Sequence, residues 1–542
     1  MLAPPLLSMD AGGPLGADCM QHAGHLGAQS PSLEAQLAAV RAVSPWGTVN
    51  EQQRSGACGL SQGVANGMRA VPDFAQSIQP KILKQINSFN TKEDLLTNAA
   101  ACHQVLDEIN LTTCIYRLAR LYNNVRGVAA RRRWASELHG NFMFHLLLRT
   151  LHSHLLHAQL QLMQQPHKFR GFDARCVSNL IWALVKLEVP TEPGALGHEV
   201  VHAVSPLVLH FLPMASSQGL ANLLWAYSKM TEPVLHVMMM IVAEMTGRLQ
   251  CAKSPATFDA QALSNAIWAL AHVRSRVSDL DAIAGIPGLT LSFMGAVASS
   301  AVSMLNGLRT RTDQGSMLES ERAFSCQALV NIVWSFATLL GENVTRVAPV
   351  RALFGCICAE ALIRLAATAS ALQLNQGWAP RLLDGFNEQA FSNIVYAYDK
   401  AQLLDADLLQ SIFTVAALRL ERCGGRPSFK PQELCTLLRA AQSSIAQPWA
   451  FLEKLHSVLC ASPHIVSEWG AGERAELERA LALLEMYRTA VLMERMRLQQ
   501  EQEQAQMQQA QEHHAQFTAL AAAPSYSMSS SYSSGGFSGS MW

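Results

Sequence analysis

Residues 258–273 read FDAQALSNAIWALAHV, and the chain repeats this pattern several times. The same layout occurs at 172–187 (FDARCVSNLIWALVKL), 215–230 (ASSQGLANLLWAYSKM), 324–339 (FSCQALVNIVWSFATL) and 386–401 (FNEQAFSNIVYAYDKA), and a weaker sixth copy begins at Phe429. The residues in the Asn position are 179, 222, 265, 331, 393 and 436, so successive copies lie 43, 43, 66, 62 and 43 residues apart. A unit of constant length with two insertions is typical of a repeat architecture.

The start of each copy predicts a helix N-terminus. The Phe is followed by a good N-cap, namely Asp173, Ser216, Asp259, Ser325 or Asn387. The Phe then stands just before the cap, where it can pack on the residue four positions after the cap as a hydrophobic staple. The second copy has Ala215 in place of the Phe, and we expect the adjacent Met214 to substitute for it.

Each predicted helix has two patterned faces. In the third copy, one apolar stripe contains Leu263, Ala266, Ile267, Leu270 and Ala271. The opposite side carries Gln261, Asn265, Trp268 and His272, with equivalents in the other copies. A helix patterned on both sides is sandwiched between neighbours, as in a solenoid. The apolar segments 234–249 and 350–366 are predicted partner helices. We therefore expect an all-α fold, an α-solenoid of helix-pair repeats of about 38–43 residues.

Residues shared by the copies are expected to hold the stack together, the Asn by bonding to the neighbouring repeat's backbone and the Trp by packing. They are Phe172, Asn179, Trp182, Asn222, Trp225, Phe258, Asn265, Trp268, Phe324, Asn331, Trp334, Phe386, Asn393 and Tyr396. Residues identical in every copy cannot distinguish one ligand unit from another, so a reading code needs variable positions. Candidates are the second and fourth residues after the Phe, and the position of Lys186, Lys229, His272, Thr338 and Lys400.

The repeat F-x-x-Q-x-L-x-N-x-x-W-A-L-x-K-L resembles the octotricopeptide repeat family, with the best matches at 172–187, 258–273 and 324–339. Residues 88–122 also resemble the helical region that often precedes such arrays, so the resemblance covers roughly 88 to 445. It implies paired antiparallel helices and binding of single-stranded chloroplast or mitochondrial mRNA or rRNA, in transcript stabilisation, processing, translation or rRNA assembly. Many family members end in a nuclease-like RAP domain, and the sequence has no evident counterpart, which weakens any hypothesis of RNA cleavage.

A basic segment precedes the array. Residues 109–136 contain six arginines and no acidic residue, with Tyr116, Tyr122 and Trp134 among them. The arginines are Arg117, Arg120, Arg126, Arg131, Arg132 and Arg133. Such a segment can contact phosphates and stack on bases, or it can be an ordinary solvated helix face. With the family resemblance, the RNA-contact candidates are these six arginines together with Lys186, Lys229, His272 and Lys400.

The composition and the absence of known motifs argue against several classes of protein. The 41 basic and 41 acidic residues cancel, so the chain is no globally basic nucleic-acid binder, although a local basic face is compatible. No dinucleotide-binding, phosphate-loop, hydrolase or zinc-protease motif occurs, so we expect no enzyme, cofactor or small-molecule substrate. His152, His154 and His157 are expected to be surface histidines, not metal ligands. Twelve scattered cysteines fit free buried thiols in a reducing compartment, and no apolar run predicts a membrane span.

The C-terminal part predicts one long helix. Leu477, Leu484, Val491 and Leu498 lie seven residues apart, before a Gln/Glu-rich stretch. This helix, over 472–520, is expected either to self-associate as a coiled coil or to dock on the end of the array. The expected divisions are 1–75, poorly ordered; 76–165, N-terminal helices; 166–447, the array; 448–523, C-terminal helices; and 524–542, a disordered Ser/Gly-rich tail.

Two functions remain open at this stage. The first is an organelle RNA-binding protein that grips single-stranded RNA along the array, and the alternative is a scaffold for protein partners, because α-solenoids serve both. Organelle location follows only from the resemblance. Residues 1–40 contain no Lys or Arg but include Asp10, Asp18 and Glu34, which is unlike an Arg-rich transit peptide.

Overall fold

A computed structural model of the chain describes residues 70–165, 169–251, 258–277, 279–312, 324–374, 385–423, 428–443 and 445–521. Over these residues the secondary structure is helical, without strands, which confirms the all-α prediction. The helices are α1 Ala70–Ser88, α2 Lys92–Ala101, α3 Glu108–Asn123, α4 Val128–His139, α5 Phe142–Gln164, α6 Ala174–Lys186, α7 Leu196–Phe211, α8 Ser217–Lys229, α9 Leu235–Gln250, α10 Ala260–Arg274, α11 Leu280–Ala284, α12 Leu289–Thr312, α13 Cys326–Leu340, α14 Ala348–Gln373, α15 Glu388–Lys400, α16 Ala406–Arg422, α17 Pro431–Ala441, α18 Trp449–Ala461, α19 His464–Ser467 and α20 Ala471–Ala521.

The helices stack in two rows. The A row runs α1, α3, α6, α8, α10, α13, α15, α17, and each member packs on the next. The B row runs α2, α5, α7, α9, α12, α14, α16, α18, and it is continuous in the same way. The six sequence copies form the A-row helices from α6 to α17, and the predicted partner helices are α9 and α14 of the B row. Contacts between successive repeats thus build the helical-repeat array expected from the sequence.

The predicted helix starts are confirmed in the five clear copies. The side chains of Asp173, Ser216, Asp259, Ser325 and Asn387 each accept a hydrogen bond from the backbone N–H three residues on. In the sixth copy, the Glu433 side chain instead accepts from the backbone N–H of Lys430. Each cap satisfies one of the N–H groups that a helix leaves unpaired at its start.

Helix α3 is a further copy, which the sequence comparison missed. Residues 106–121 read LDEINLTTCIYRLARL, and aligning Asp107 with Asp173 places Leu106 in the Phe position and Tyr116 in the Trp position. Asp107 caps the helix by accepting from the N–H of Asn110 at 2.7 Å. This copy has neither Phe, Asn nor Trp at the diagnostic positions, so only the cap, the aliphatic pattern and the aromatic survive. The residue in the Asn position is Thr113, 66 residues before Asn179, the same spacing as between two other copies.

The Phe residues of the copies are buried, as a staple requires, but Met214 does not replace the missing one. Phe172, Phe258, Phe324 and Phe386 are at most 7 % exposed, whereas Met214 is 60 % exposed. The short 3₁₀ turn Leu212–Met214 directs Met214 outward. Arg248 of α9 instead holds this start, donating to the carbonyls of Leu212 and Ala215 at 2.8 and 2.6 Å.

Three further expectations concern the thiols, membrane spans and disordered segments. The ten cysteines in the described residues are free, but Cys251 and Cys460 are exposed, so the thiols are not uniformly buried. By length and composition, Leu289–Gly307 and Ala348–Gln373 are apolar enough to cross a membrane. Both lie in the B row and pack on neighbouring B-row helices, as core helices of an array do. Residues 1–75 and 524–542 were expected to be poorly ordered or disordered. Of these, 70–75 belong to helix α1, and 1–69 and 524–542 lie outside the described residues.

Candidate nucleic-acid interface

Each A-row helix from α3 to α15 packs against the previous A helix, the next A helix and the B row, which leaves one open side. Four positions of each copy mark this side, and we name them after their commonest residue: the Gln, Asn, Trp and Lys positions, at 261, 265, 268 and 272 in α10. The Gln-position residues Arg175, Gln218, Gln261 and Gln432 are exposed. We call the surface formed by these four positions from α3 to α17 the open face.

A chain of aromatic and cationic contacts crosses the first repeats. The ring of Tyr116 in α3 lies 5.5 Å from that of Trp182 in α6. Lys186 of α6 places its Nζ 4.8 Å from the ring centroid of Trp225 in α8, and Lys229 of α8 does the same to Trp268 in α10. Each lysine therefore holds the Trp of the following repeat by a cation–π contact.

These contacts assign the candidate lysines a packing role in addition to any ligand contact. Lys186 is buried, with 9 % of its surface exposed, and Lys229 is partly buried. Lys400 packs within its own helix, with its Nζ 3.2 Å from the hydroxyl of Tyr396. Three of the four repeated Trp residues are core residues, as expected: Trp225, Trp268 and Trp334 are 6 %, 0 % and 4 % exposed, whereas Trp182 is half-buried.

His272 ends this chain of contacts as a neutral ring. It stacks on Trp268, with centroids 4.8 Å apart and an interplanar angle of 13°. Burial, together with the charges of Lys229 and Arg276, lowers the pKa of His272 to about 4. Near neutral pH the imidazole is uncharged, so His272 can offer a ligand a hydrogen bond or a ring face but not a charge.

The Asn position does not form the expected ladder to neighbouring backbones. Among the described residues, no hydrogen bond joins an Asn-position side chain to the backbone of the next repeat. Asn331 accepts from Gln327 Nε2 at 2.8 Å, within one helix. Asn179, Asn222 and Asn265 are partly exposed. Asn331 and Asn393, in contrast, are only 2 % exposed. In the described residues the expected ladder is therefore absent both where the Asn is partly exposed and where it is buried.

The open face contains cations and amides without acids. Seven helices with four positions each give 28 side chains, of which six are Lys or Arg and none is Asp or Glu. The six are Arg120, Arg175, Lys186, Lys229, Lys400 and Arg439. The whole chain has a net charge of zero, so the open face is more positive than the rest of the protein. Arg175 and Arg439 were missed from the sequence because they replace the Gln and the Trp of other copies.

Six buried polar atoms on the open face have no hydrogen-bond partner among the described residues. They are Nε1 of Trp225, Trp268 and Trp334, Nδ1 of His272, Oγ1 of Thr338 and Nδ2 of Asn393. Buried polar groups in proteins are normally paired, so a row of unpaired ones at equivalent positions marks this surface as unusual.

The structure divides the basic segment 109–136 into two parts. Arg120 is exposed at the Lys position of α3 and so lies on the open face. Arg117 donates to the Phe89 carbonyl at 2.6 Å and Arg131 to that of Val125 at 2.8 Å, so both guanidinium groups bond to backbone. Arg126, Arg132 and Arg133 are exposed on and before α4, which is not an A-row helix.

The aromatic residues of this segment are occupied internally. Tyr122 donates to Glu188 at 2.7 Å, and its ring packs 5.3 Å from that of Trp134. Trp134 also receives Lys92, whose Nζ lies 5.1 Å from the ring centroid. These rings are therefore not free platforms for base stacking, in contrast to the expectation for this segment.

The second and fourth residues after the Phe do not suit a reading code. Most are small and buried: Ala260, Cys326, Cys176, Ala262, Ala328 and Ala390 are at most 8 % exposed. They begin the helix on the side that meets neighbouring helices, where only small residues fit. The variable positions that reach the open face are instead the Gln and Lys positions.

The three histidines of α5 contact three different partners. His154 Nδ1 lies 3.1 Å from Glu108, His152 Nδ1 lies 3.8 Å from Glu199, and His157 contacts Gln161 at 3.2 Å. Across the described residues, no group of three or more His, Cys, Asp or Glu side chains converges as a metal site would require.

Comparison of this chain with protein-family models finds no match, and a search of curated proteins finds no relative.

Proposed function

We propose that this protein binds single-stranded RNA of a chloroplast or mitochondrion along the open face of its A row. The proposal combines the resemblance to octotricopeptide repeats with the surface chemistry of that face. As a non-enzymatic RNA-binding protein it would stabilise or present a transcript, assist its processing or translation, or take part in rRNA assembly.

The observation that carries the proposal is the distribution of charge: 28 open-face positions hold six Lys or Arg and no acid. Cations spaced along a row suit a phosphate backbone, whose charges are also spaced. Carboxamides such as Gln218, Asn222 and Gln261 both donate and accept hydrogen bonds, which suits the edges of unpaired bases. A face for an acidic protein partner would need the same cations, so a direct binding experiment has to separate the two.

The first test measures RNA affinity for the full chain and for charge-reversal variants. Arg120→Glu combined with Arg175→Glu changes two exposed residues of the open face. Arg149→Glu combined with Arg351→Glu makes the same charge change on exposed B-row positions. We expect the open-face variant to lose about 10-fold or more in affinity for a random single-stranded RNA pool, and to lower the salt slope by about 1.4. The B-row variant should bind nearly as the wild type.

Four outcomes would count against the proposal. The wild-type protein could show no salt-dependent binding to any RNA pool, or the B-row and open-face variants could lose affinity equally. Crosslinking in cells, followed by sequencing of the bound RNA, tests the compartment, and recovery of only nuclear or cytosolic transcripts would reject the organelle assignment. Binding of the open face to acidic protein with no RNA binding would favour the scaffold function.

A further inference from the structure

The long helix α20 has two parts with different surroundings. Its first turns pack on α17 and α18, where Leu477, Ala480 and Leu484 are buried. Tyr487 ends this docked part by stacking on Trp449 of α18, with centroids 3.9 Å apart and an interplanar angle of 4°. The seven-residue spacing of Leu477 and Leu484 therefore places both side chains against the array. This is docking, one of the two predicted roles.

The remainder of α20 projects away from the array. Every residue from Leu492 to Ala515 is exposed. Residues 486–521 form about 50 Å of helix at 1.5 Å per residue. Six large apolar side chains in this part are between 47 % and 70 % exposed: Met486, Leu492, Met493, Met496, Leu498 and Met507. Helices in proteins are stabilised mainly by packing, and no other part of the described chain covers these apolar side chains.

A second heptad stripe runs along the projecting part. Met486, Met493, Gln500, Met507 and His514 lie seven residues apart, as a positions. Thr489, Met496, Glu503 and Ala510 follow three residues after successive a positions, as d positions. All nine are exposed, and the two polar residues at the centre are flanked by apolar ones. This is the pattern of a coiled-coil seam with a polar layer that can set its register.

We propose that the projecting part of α20 pairs with the same helix of a second copy of this chain, in an antiparallel two-helix coiled coil centred between Glu501 and Gln502. In this register Met496 faces the partner subunit's Met507, and Met493 faces the partner subunit's Ala510. At the centre, Gln500 faces the partner subunit's Glu503, where the amide can donate to the carboxylate. Because the arrangement is two-fold, each contact occurs twice.

Charge favours the antiparallel orientation. Residues 486–497 contain three Arg and one Glu, a net charge of +2, whereas residues 498–521 contain three Glu and no Lys or Arg, a net charge of −3. In the antiparallel register, residues 486–497 lie opposite residues 506–517 of the second copy, a segment with one Glu and no Lys or Arg. Parallel pairing would set like on like, with Glu503 opposite the partner subunit's Glu503. A second copy is therefore a complementary occupant of this surface.

The first test is the molar mass of the full-length protein by light scattering over a range of concentrations. We expect a dimer that dissociates on dilution. Met496→Glu combined with Met507→Glu places charge on the seam and should shift the dissociation constant at least 100-fold toward monomer. Leu498→Glu is the matched control, because Leu498 is exposed on the opposite side of the helix and its replacement should leave the dimer intact. Unchanged helix content in circular dichroism confirms that each variant folds.

The second test distinguishes the orientation by disulfide formation. In a background of Cys251→Ser and Cys460→Ser, one protein carries Met496→Cys and another carries Met507→Cys. Antiparallel pairing predicts a crosslink when the two are mixed and none in either alone, where equivalent cysteines lie about 16 Å apart along the axis. Crosslinking of each variant with itself would show parallel pairing and overturn the proposed register.

A wild-type protein that stays monomeric at all concentrations would overturn the proposal, as would a dimer unaffected by the seam substitutions. A different protein bound at 486–521 in place of a second copy would also reject it. None of these outcomes depends on RNA, so the dimer and the RNA function can fail separately.

Discussion

Helix α10 and residues 486–498, the first part of the projecting helix, both carry many apolar side chains, yet they have opposite surroundings. In α10, Leu263, Ile267 and Trp268 are at most 1 % exposed, while in α20 Leu492, Met493 and Met496 are more than 50 % exposed. The difference lies in neighbours: α10 has an A-row helix on each side and α12 behind it, whereas α20 leaves the stack after Tyr487. In a repeat protein, the apolar side chains of a helix are buried only where neighbouring helices of the stack cover them.

The largest effect should come from the centre of the array. Trp268→Ala removes a fully buried indole between Lys229 and His272, and should lower the free energy of unfolding by about 3–5 kcal/mol. Leu498→Ala on the projecting helix should change it by less than about 0.5 kcal/mol. Urea denaturation followed by circular dichroism measures both, and equal effects would break the contrast between the two regions.

Truncation should locate the boundary within α20. Removing residues 492–542 takes away only exposed or undescribed residues, and the melting temperature should stay within about 2 °C of the full chain's value. Removing residues 471–542 also uncovers the surface that Leu477, Ala480 and Leu484 cover, and should cost about 2–4 kcal/mol. A large loss of thermal stability already in the shorter truncation would show that the projecting part supports the array.

A smaller effect is expected at the helix starts. Asp259→Ala removes the bond to the N–H of Ala262 and should destabilise the protein by about 1 kcal/mol. Asp399→Ala is the control, since this exposed residue caps no helix N-terminus. Hydrogen exchange should report faster exchange in the first turn of α10 for the cap variant alone. No change there would mean that stacking, and not the cap, holds this end.

The last effect concerns pH and is absent near neutral pH. The pKa of His272 is about 4 in the folded protein and 6.5 without its environment, so between these values the unfolded chain binds more protons. The contribution of His272 to stability is complete above pH 6.5 and is lost as the pH falls toward 4. His272→Phe should flatten the dependence of the melting temperature on pH in this window. An unchanged pH profile would show that the ring is not held neutral.

The sequence predicted those features of the array that depend on residues within one repeat. Caps such as Asp173 and the repeated Trp follow directly from the spacing of the copies. The copy in α3 was missed because its staple is Leu106 and its aromatic is Tyr116, and such conservative replacements hide in a sequence comparison. The role of Lys186 was not predictable, because its partner Trp225 belongs to the next repeat and only the stacking of α6 on α8 brings them together.

The contact from each lysine to the following Trp has a consequence for how such a chain can grow. Lys186 and Lys229 each cross one boundary between successive repeats. Inserting a duplicated repeat therefore requires only one new boundary of the same kind. Gene duplication can therefore lengthen the protein without redesigning its interior. Helix α3 shows how much the sequence of a repeat can then change. It retains Asp107, which caps the helix, and Tyr116, which packs on Trp182.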